Sequence, residues 1–279
     1  MDGKALADKI CLDLKARCDA LKSRNINPVL TIVTSGEDSA SKVYVRNKVK
    51  RCEEIGIKAD VRHYDYLNYI ELDNILYSVG NPIIVQEPIV GNVDHFDVSS
   101  RISSMMDVDG FTHINMGLLA TGEKPYHHPC TPSGVMRLLE EYNIPLEGKN
   151  ALIIGRSNIV GRPMAMMLEQ AGCTVTVAHS KTTKDSLIEN FVSADIVVSA
   201  VGKRNVVSDA EFLPSKRLKD KVLIDVGMNR DENGKLCGDF SEELKQKAAY
   251  YTPTPGGTGP MTVAMLMQNV IEYYERYYF

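Results

Sequence analysis

One segment of the sequence, GKNALIIGRSNIVGRPMAMMLEQAGCTVTVAHSKT, constrains the fold more than any other. Within about 30 residues it runs from a predicted strand through a glycine turn and a helix to a second strand, which is the order of a βαβ unit. Gly155 permits a tight turn off the strand, and Gly161 permits close packing where the helix begins. We expect free backbone N–H groups there to attract the pyrophosphate of a dinucleotide. The turn is not a GxGxxG, so a plain strand-to-helix connection stays open as the alternative.

The end of the second strand of this unit indicates which dinucleotide binds. Units that bind NAD carry an acidic residue about 20 positions further on, which accepts hydrogen bonds from the adenine ribose. Here the strand is followed by His179, Ser180 and Lys181, and no carboxylate appears before Asp185. Together with Arg156 in the turn, Ser180 and Lys181 favour the 2′-phosphate of NADP. The alternative is that the residues after the strand form only a solvated loop.

Short apolar runs alternate with helix-period segments along the chain, which is typical of βα units around parallel sheets. The predicted strands are residues 28–34, 57–64, 82–86, 151–154, 174–178, 196–201 and 222–226. A proline-containing stretch at 121–132 indicates a linker. We therefore predict an α/β protein with a first domain over 1–120 and a second, Rossmann-like domain with a doubly wound parallel sheet over 121–260. The final helix, 261–279, has an apolar stripe that could pack on either domain.

Composition limits what the chain binds and where it works. The formal net charge is −4 and no Lys/Arg block occurs, so nothing indicates attraction to nucleic acid or to an anionic membrane. The six cysteines form no CxxC pair, and we expect unpaired thiols. No stretch approaches the roughly 20 apolar residues that span a bilayer, and the first residues do not form a signal-peptide pattern. These observations predict a cytoplasmic protein whose partners are small molecules.

In the first half, one helix carries a candidate reactive pair. Cap candidates Asp38 and Ser39 precede it, and Gly56 ends it. Tyr44 and Lys48 are four positions apart and therefore share one face of this helix. Such a pair could line a ligand cleft. Taken alone, a lysine that extends beside a surface tyrosine is the commoner explanation.

Two further motifs of the first half place polar residues at strand ends and turns. Gln86 and Glu87 close the strand at 82–86, where side chains of a parallel sheet face a ligand crevice. DVDGF then places Asp107 and Asp109 just before a glycine turn. These carboxylates fit an aspartate-capped turn as well as a ligand site. Two carboxylates are too few for a calcium loop, so we predict no metal site.

Six ordered motifs make the chain resemble, over essentially its whole length, the bifunctional methylenetetrahydrofolate dehydrogenase/methenyltetrahydrofolate cyclohydrolase family. They are ASKVYVRNK, DVDGF, PCTPSG, GRSNIVGRP, HSKT and PGGTGPMTVAMLMQN. The resemblance implies an enzyme that oxidises 5,10-methylenetetrahydrofolate with NADP and hydrolyses the methenyl product to 10-formyltetrahydrofolate. It also implies a homodimer and two α/β domains joined by long helices with a cleft between them. In such a protein the helix 261–279 completes the first domain.

The resemblance also implies roles for particular residues. Its catalytic and substrate-binding set consists of the catalytic Lys48, Gln86 hydrogen-bonded to that lysine, Tyr44 along the folate, Asp109 on the pterin ring, and Gly257 and Pro260. Its cofactor-binding set consists of Gly155, Arg156, Ser157, Ile159, Val160, Gly161, His179 and Ser180. No metal ligand is implied.

The expected chemistry agrees with this set of residues. Loss of hydride from a carbon between two nitrogens gives a resonance-stabilised cation, and that step needs positioning more than acid or base help. Hydrolysis of the cation needs a group that handles protons. Lys48 can serve if burial lowers its pKa, and Gln86 would then fix its orientation.

Three positions depart from the family pattern. Glu87 stands where a leucine is usual, Met106 where a lysine usually precedes DVDGF, and Thr258 where a valine is usual. The first two make the rim of the substrate cleft more acidic. If Glu87 held Lys48 in a salt bridge, the chain would be a dehydrogenase without cyclohydrolase activity. A nucleotide-sensing binding protein that has lost the chemistry is another alternative, which the combination of folate-site residues argues against.

Overall fold

The structure, a computed structural model, describes residues 1–204, 206–207 and 218–278, apart from the side chains at 39 and 40. The chain forms two compact units. The first unit comprises Ala7–Cys130 and Val263–Phe279, and the second comprises Met1–Leu6 and Thr131–Thr262. The division after residue 130 falls later in the chain than the boundary near 120 that the linker indicates. Residues 1–6 belong with the second unit rather than with the first half of the sequence.

The first unit is built around a small parallel sheet. Its elements are α1 (Gly3–Ser23), β1 (Val29–Ser35), α2 (Ser39–Ile55), β2 (Lys58–Tyr64), α3 (Tyr69–Ser78), β3 (Ile83–Val85), α4 (His95–Arg101) and α5 (His113–Ala120). The strand order is β2-β1-β3, with Ile32 of β1 opposite Val61 and Ile84. The central strand β1 is largely buried because it has a neighbour on each side and helices pack over it.

The ends of α2 follow the local chemistry of the sequence. The Asp38 side chain caps the helix by accepting a hydrogen bond from the backbone N–H of Ser41 at 2.6 Å, while Ser39 is the first helical residue. At the other end, Gly56 adopts a left-handed conformation with φ of 94°, which a residue without a side chain reaches at little cost.

The second unit contains the larger sheet. The elements that lie in it wholly or in part are α6 (Cys130–Glu141), β4 (Asn150–Ile154), α7 (Gly161–Gln170), β5 (Thr174–Ala178), α8 (Lys184–Ser193), β6 (Ile196–Ser199), a 3₁₀ turn (Leu218–Asp220), β7 (Val222–Asp225), β8 (Asn229–Arg230), β9 (Leu236–Cys237), α9 (Glu242–Lys247), β10 (Tyr250–Tyr251) and α10 (Thr258–Tyr277). The five-stranded sheet is parallel with the order β10-β7-β6-β4-β5, and β8 and β9 form an antiparallel hairpin. The predicted α/β class and the doubly wound second sheet are confirmed.

Successive residues of β4 are buried on opposite faces of the sheet, which explains why its sequence is continuously apolar. Leu152 and Ile154 belong to one buried cluster, which includes Phe191 of α8. Ala151 and Ile153 belong to another, on the opposite side of the sheet. Both faces of the strand are therefore covered, as expected for a parallel sheet with helices on both sides.

The final helix α10 passes from the second unit into the first. Its stripe of Leu266, Val270 and Tyr274 is buried, and the Tyr274 hydroxyl accepts a hydrogen bond from the backbone N–H of Val29 at 3.0 Å. The structure thus places 263–278 with the first unit. None of the described helices combines the length and the apolar character that crossing a membrane requires. All six cysteines are free thiols, as the sequence predicts.

Candidate functional site

Lys48 of α2 and Gln86, which follows β3, meet in the first unit. Lys48 Nζ donates a hydrogen bond to Gln86 Oε1 at 2.8 Å. The backbone N–H of Gln86 donates to the carbonyl oxygen of Val33 at 2.8 Å, so the sheet pairing continues to this residue. Its side-chain Nε2 donates to the carbonyl oxygen of Glu87 at 2.7 Å. These two bonds leave the amide oxygen of Gln86 directed at the lysine.

The carboxylate of Glu87 is directed elsewhere. Its Oε1 lies 3.4 Å from His95 Nδ1, and its Oε2 accepts a hydrogen bond from the backbone N–H of Ile89 at 3.2 Å. The Glu87 carboxylate raises the pKa of His95, an effect that partial burial of the imidazole opposes. His95 also packs edge-on against Phe111, with 5.8 Å between ring centroids. Lys48 therefore binds the amide of Gln86 while Glu87 pairs with a histidine.

The two aspartates of DVDGF have different partners. Asp107 is buried and accepts hydrogen bonds from the backbone N–H groups of Gly110 (2.9 Å) and Thr112 (2.6 Å) and from Asn115 Nδ2 (3.0 Å). It therefore forms the aspartate-capped turn that was one interpretation of this motif. Asp109 shares a pocket with Glu87 and His95. Its burial raises the pKa of the carboxyl group, and the charge of Lys48 opposes that shift.

Tyr44 lies one turn before Lys48 on α2 and is 37% exposed. Partial burial raises the pKa of its hydroxyl. A residue that sequence reasoning missed is Asn269 of α10, whose Nδ2 donates to the carbonyl oxygens of Val108 (2.8 Å) and His128 (3.1 Å). It holds the loop that carries Asp109. A polar residue three positions after Leu266, on the buried stripe of a helix, was the signal that could have identified it.

The glycine turn lies in the second unit, at the carboxyl end of β4. Gly155 has φ of +123°, and a side chain there would meet the carbonyl oxygen of Ala200 at 2.7 Å. A side chain at Gly161 would collide with the carbonyl oxygen of Gly155. Both positions therefore require glycine, because the chain's own backbone fills the space that a side chain would take.

The expected free N–H groups at the start of α7 are not available, and this part of the sequence-based prediction was wrong. Ser157 Oγ accepts hydrogen bonds from the backbone N–H groups of Val160 (3.1 Å) and Gly161 (3.3 Å). The carbonyl oxygen of Ser157 accepts a third from Arg162 at 3.0 Å. The physical reason is that the hydroxyl and carbonyl oxygens of Ser157, within the turn, accept from these N–H groups themselves. Arg156 is exposed in this turn, and its guanidinium has no ion pair within the described part of the chain.

The residues after β5 form an ordered turn. The backbone N–H of His179 donates to Thr182 Oγ1 at 2.9 Å, and its ring Nδ1 accepts from the backbone N–H of Lys181 at 3.2 Å. Ser180 and Lys181 are exposed. Because the N–H of Gly155 donates to the carbonyl oxygen of Ala178 (2.9 Å), this turn and the glycine turn lie at the same edge of the sheet. Ile159 is exposed and Val160 half-buried within the glycine turn.

Gly257 and Pro260 lie in the second unit, whereas Lys48, Gln86 and Asp109 lie in the first. A side chain at Gly257 would meet the carbonyl oxygen of Pro253 at 2.5 Å, so packing within the second unit already requires this glycine.

Two of the departures from the family pattern have local explanations. The Thr258 hydroxyl donates to the carbonyl oxygen of Asp225 at 3.1 Å. Met106 is partly buried against the apolar cluster that contains Ile83.

A doubly wound parallel sheet with a glycine turn after β4, where the strand order reverses, defines a dinucleotide-binding unit, and the first unit adds a lysine, a glutamine and an aspartate suited to proton chemistry. Comparison with known families agrees. The model described as "Tetrahydrofolate dehydrogenase/cyclohydrolase, catalytic domain" matches residues 1–109. The model described as "Tetrahydrofolate dehydrogenase/cyclohydrolase, NAD(P)-binding domain" matches residues 129–278. The chain belongs to the tetrahydrofolate dehydrogenase/cyclohydrolase family.

Individual relatives support the same assignment. "Bifunctional protein FolD" of Polaromonas sp. (strain JS666 / ATCC BAA-500) is 45% identical over 283 residues, which cover 99% of this chain and 98% of that protein. The crystal structure of a FolD methylenetetrahydrofolate dehydrogenase/cyclohydrolase from Campylobacter jejuni has a TM-score of 0.90 and 42% identity, over 99% of this chain and 98% of that one. A Trypanosoma brucei FolD complexed with NADP cofactor and inhibitor has a TM-score of 0.89 and 31% identity, over 99% and 97%. The predicted family and its bifunctional enzyme activity are confirmed.

Proposed function

We propose that this chain oxidises 5,10-methylenetetrahydrofolate with NADP and hydrolyses the resulting methenyl group to give 10-formyltetrahydrofolate. The observation that carries the proposal is the hydrogen bond from Lys48 to Gln86, with Asp109 close enough for the charge of Lys48 to affect its pKa. Family membership supports the reaction pair, and the NADP complex of the Trypanosoma brucei relative supports the cofactor.

The first reaction depends on positioning. NADP, when bound, supplies the acceptor for the hydride. Asp109 is proposed to accept hydrogen bonds from the N–H groups of the pterin ring, which a carboxylate matches well. Tyr44, partly exposed one turn from Lys48, offers an aromatic face along the folate. Together these two side chains would fix the folate without taking part in proton transfer.

The second reaction needs a proton carrier. Water attacks the cationic methenyl carbon and gives up a proton, and the ring nitrogen that leaves as an amine takes one up. We assign this transfer to Lys48 Nζ, because it is the amine held at the site by a defined hydrogen bond. Gln86 acts as a positioning residue, since its amide nitrogen Nε2 donates to the carbonyl oxygen of Glu87 and is thereby held in place.

The cofactor is proposed to lie along the edge of the second sheet that carries the glycine turn and the turn after β5. Gly155 and Gly161 allow the tight turn after β4 beside which the pyrophosphate is proposed to lie. Arg156 and Ser180 are exposed there and offer a cation and a hydroxyl to the 2′-phosphate. Ser157 shapes the glycine turn by accepting the N–H groups of Val160 and Gly161, and His179 orders the turn after β5.

A dehydrogenase without cyclohydrolase activity is disfavoured by the contacts of Glu87. That alternative required Glu87 to hold Lys48 in a salt bridge. Instead the Glu87 carboxylate pairs with His95 and with the N–H of Ile89, and Lys48 binds an uncharged amide. A turnover assay with the folate substrate and NADP distinguishes the enzyme from a binding protein that has lost the chemistry.

The assembly and cellular location that we propose are a homodimer in the cytoplasm. The family resemblance supports the homodimer. The six free thiols, five of them buried, fit a reducing compartment. Tetrahydrofolate derivatives are the proposed partners, and neither nucleic acid nor a membrane has a part in the proposal.

The test of the proposed chemistry is Lys48→Met. We expect cyclohydrolase activity to fall by about 100-fold or more, the scale of a lost proton-transfer group. Dehydrogenase activity should fall less, because that step depends on positioning. Lys50→Met is the matched control, since Lys50 is an exposed lysine of the same helix whose nearest carboxylate, that of Glu54, lies 3.9 Å away. Full retention of cyclohydrolase activity in Lys48→Met would remove Lys48 from the mechanism.

A further inference from the structure

The second unit encloses a connected group of three charged side chains almost completely, and none of them belongs to the predicted site. Asp225 ends β7, Asp239 follows the β8–β9 hairpin, and Lys245 lies in α9, with exposed fractions of 1%, 0% and 0%. Enclosed charges are tolerated where they are paired and hydrogen-bonded. The partners of these three residues therefore indicate what they hold in place.

Asp225 and Lys245 form a buried ion pair, with 2.9 Å between Oδ2 and Nζ. The Asp225 carboxylate also accepts hydrogen bonds from two successive backbone N–H groups, those of Asp239 (2.9 Å) and Phe240 (3.3 Å). Burial raises the pKa of Asp225, and the Lys245 ammonium opposes that shift. Asp225 thus fixes the backbone at 239–240, which sets the direction of the Asp239 side chain.

The Asp239 carboxylate accepts four hydrogen bonds. Its Oδ2 accepts from Ser199 Oγ (2.8 Å) and from the backbone N–H of Val201 (3.0 Å). Its Oδ1 accepts from the backbone N–H of Lys203 (2.9 Å) and from Asn229 Nδ2 (3.0 Å). Four donors occupy all the acceptor positions that a carboxylate has. Three of them belong to the segment 199–203, which begins at the last residue of β6.

The segment 199–203 lies directly against the glycine turn. The backbone N–H of Ala200 donates to the carbonyl oxygen of Ile154 at 2.9 Å, and the carbonyl oxygen of Ala200 is the atom that a side chain at Gly155 would meet. β4 has β5 on one side and β6 on the other, so the strand order reverses there. Ligands of doubly wound sheets bind in the crevice at such a reversal. The segment 199–203 therefore forms one wall of that crevice.

Two glycines are required by the same arrangement. A side chain at Gly227 would collide with the carboxylate of Asp239, and one at Gly238 would collide with the carboxylate of Asp225. Neither glycine has a positive φ, so backbone conformation does not demand them. Their small size is required because the two carboxylates fill the space beside them.

We propose that Asp239 is a positioning residue for the dinucleotide: it holds 199–203 against the glycine turn, so that the crevice is formed before NADP binds. Asp239 acts through the backbone of this segment, because its own acceptor positions are all taken. Asp225 and Lys245 support it by fixing the backbone from which it extends. The inference rests on the cofactor site proposed above.

Asp239→Asn tests the proposal in the full-length chain. The variant keeps the size of the side chain but replaces one carboxylate oxygen by an NH2 group. This group cannot accept the hydrogen bonds that the lost oxygen accepted. We expect the dissociation constant of NADP, measured by calorimetry, to rise by about tenfold or more, the scale of one lost hydrogen bond to a charged group. The amides of Val201 and Lys203 should exchange faster with deuterium. KM for NADP should rise more than kcat falls.

Two controls accompany this variant. Cyclohydrolase activity consumes no NADP and should stay at the wild-type level, which shows that the chain is folded. Asp231→Asn makes the same chemical change in the same unit, at a carboxylate that accepts from the N–H groups of Asn233 (2.9 Å) and Lys235 (2.8 Å) in the hairpin. This variant should bind NADP as the wild type does.

Wild-type affinity for NADP in Asp239→Asn overturns the proposal, since Asp239 would then stabilise only the fold. If that variant does not fold, Ser199→Ala removes one donor and leaves the carboxylate in place. Weaker NADP binding with unchanged cyclohydrolase activity is then expected, and unchanged binding overturns the proposal. A wild-type chain that hydrolyses the methenyl substrate but does not bind NADP contradicts the proposed cofactor site instead.

Discussion

Glu87 replaces a leucine that is usual in this family, and its charge is compensated by His95. The two side chains are each more than a third exposed, with 3.4 Å between Oε1 and Nδ1. Asp109 and Asp107 also raise the pKa of His95, so several carboxyl groups of the first unit act on this imidazole. We infer that His95 is what allows an acidic residue beside Gln86 without a salt bridge to Lys48.

This pair predicts a pH-dependent contribution to stability. Because Glu87 raises the folded-state pKa of His95 above the ordinary value of about 6.5, the stabilisation is complete below that pH. It is lost as the pH rises through the raised pKa. We expect His95→Gln to lower the free energy of unfolding by less than about 1 kcal/mol near pH 6, as for other partly exposed pairs, and by nothing near pH 9. Denaturant titration of both proteins across this range measures the difference.

Glu87→Leu, which restores the residue usual in the family, is the control background. In that background His95 has lost the partner with the largest effect on its pKa, so the effect of His95→Gln should change less with pH than in the wild-type chain. A difference between wild type and His95→Gln that does not change between pH 6 and pH 9 would show that the imidazole contributes only by packing.

At the scale of residues, the sequence predicted those site residues whose positions follow from the regular spacing of a helix or from the end of a strand. The helical face of Tyr44 and Lys48 and the strand end at Gln86 were predictable, and the structure joins Lys48 to Gln86. Spacing could not separate Asp107 from Asp109, because both precede the same glycine. Which carboxylate takes the backbone N–H groups depends on the path of the turn, and that path is set by contacts from elsewhere, such as the one from Asn269.

At the scale of elements, the carboxyl end of β5 is proposed to select NADP over NAD. Ser180→Asp places a carboxylate in the turn at that end. We expect catalytic efficiency with NADP to fall by roughly tenfold or more, since two negative charges within a few ångströms repel by about 1 kcal/mol or more even in water. Efficiency with NAD should be unchanged or higher, because an acidic residue at this position accepts the ribose hydroxyls. Steady-state kinetics with both cofactors measures the change.

The reaction with NAD is the internal control for this variant, because a general loss of folding lowers both efficiencies together. Equal efficiencies with NAD and NADP in the wild-type chain would contradict the assignment of this turn to the 2′-phosphate. An unchanged NADP preference in Ser180→Asp would place the phosphate away from the end of β5.

The sequence predicted those elements that are long enough to show the periodicity of a helix or a strand. The seven predicted strands are present as β1 to β7 with small differences at their ends. β8, β9 and β10 have two residues each, too few for any alternation to show. The hydrogen bonds that Ser157 accepts at the start of α7 and the four bonds of Asp239 could not be predicted either. Each depends on a particular turn geometry, and Asp239 contacts residues far from it in the sequence.

At the scale of the whole molecule, each unit has apolar clusters of its own. In the first unit one cluster is formed by residues such as Val33, Leu72 and Ile83. In the second unit, clusters cover both faces of the large sheet. The sequence predicted two domains because 279 residues suffice for two cores. It could not predict that residues 1–6 belong with the second unit, because α1 continues without a break from Gly3 to Ser23 across that point.

Because the two units have separate apolar clusters, we expect a ligand that binds one unit to stabilise that unit more than the other. A ligand at 100 times its dissociation constant adds about 2.7 kcal/mol to the unfolding free energy of the structure that binds it. We therefore expect saturating NADP to slow amide exchange most strongly in 150–161 and 174–182, where the glycine turn and the turn after β5 lie. The strands β1 and β2 of the first unit serve as the internal reference. Hydrogen–deuterium exchange with mass spectrometry measures both regions in one experiment, and protection that is confined to β1 and β2 would contradict the proposed place of the cofactor.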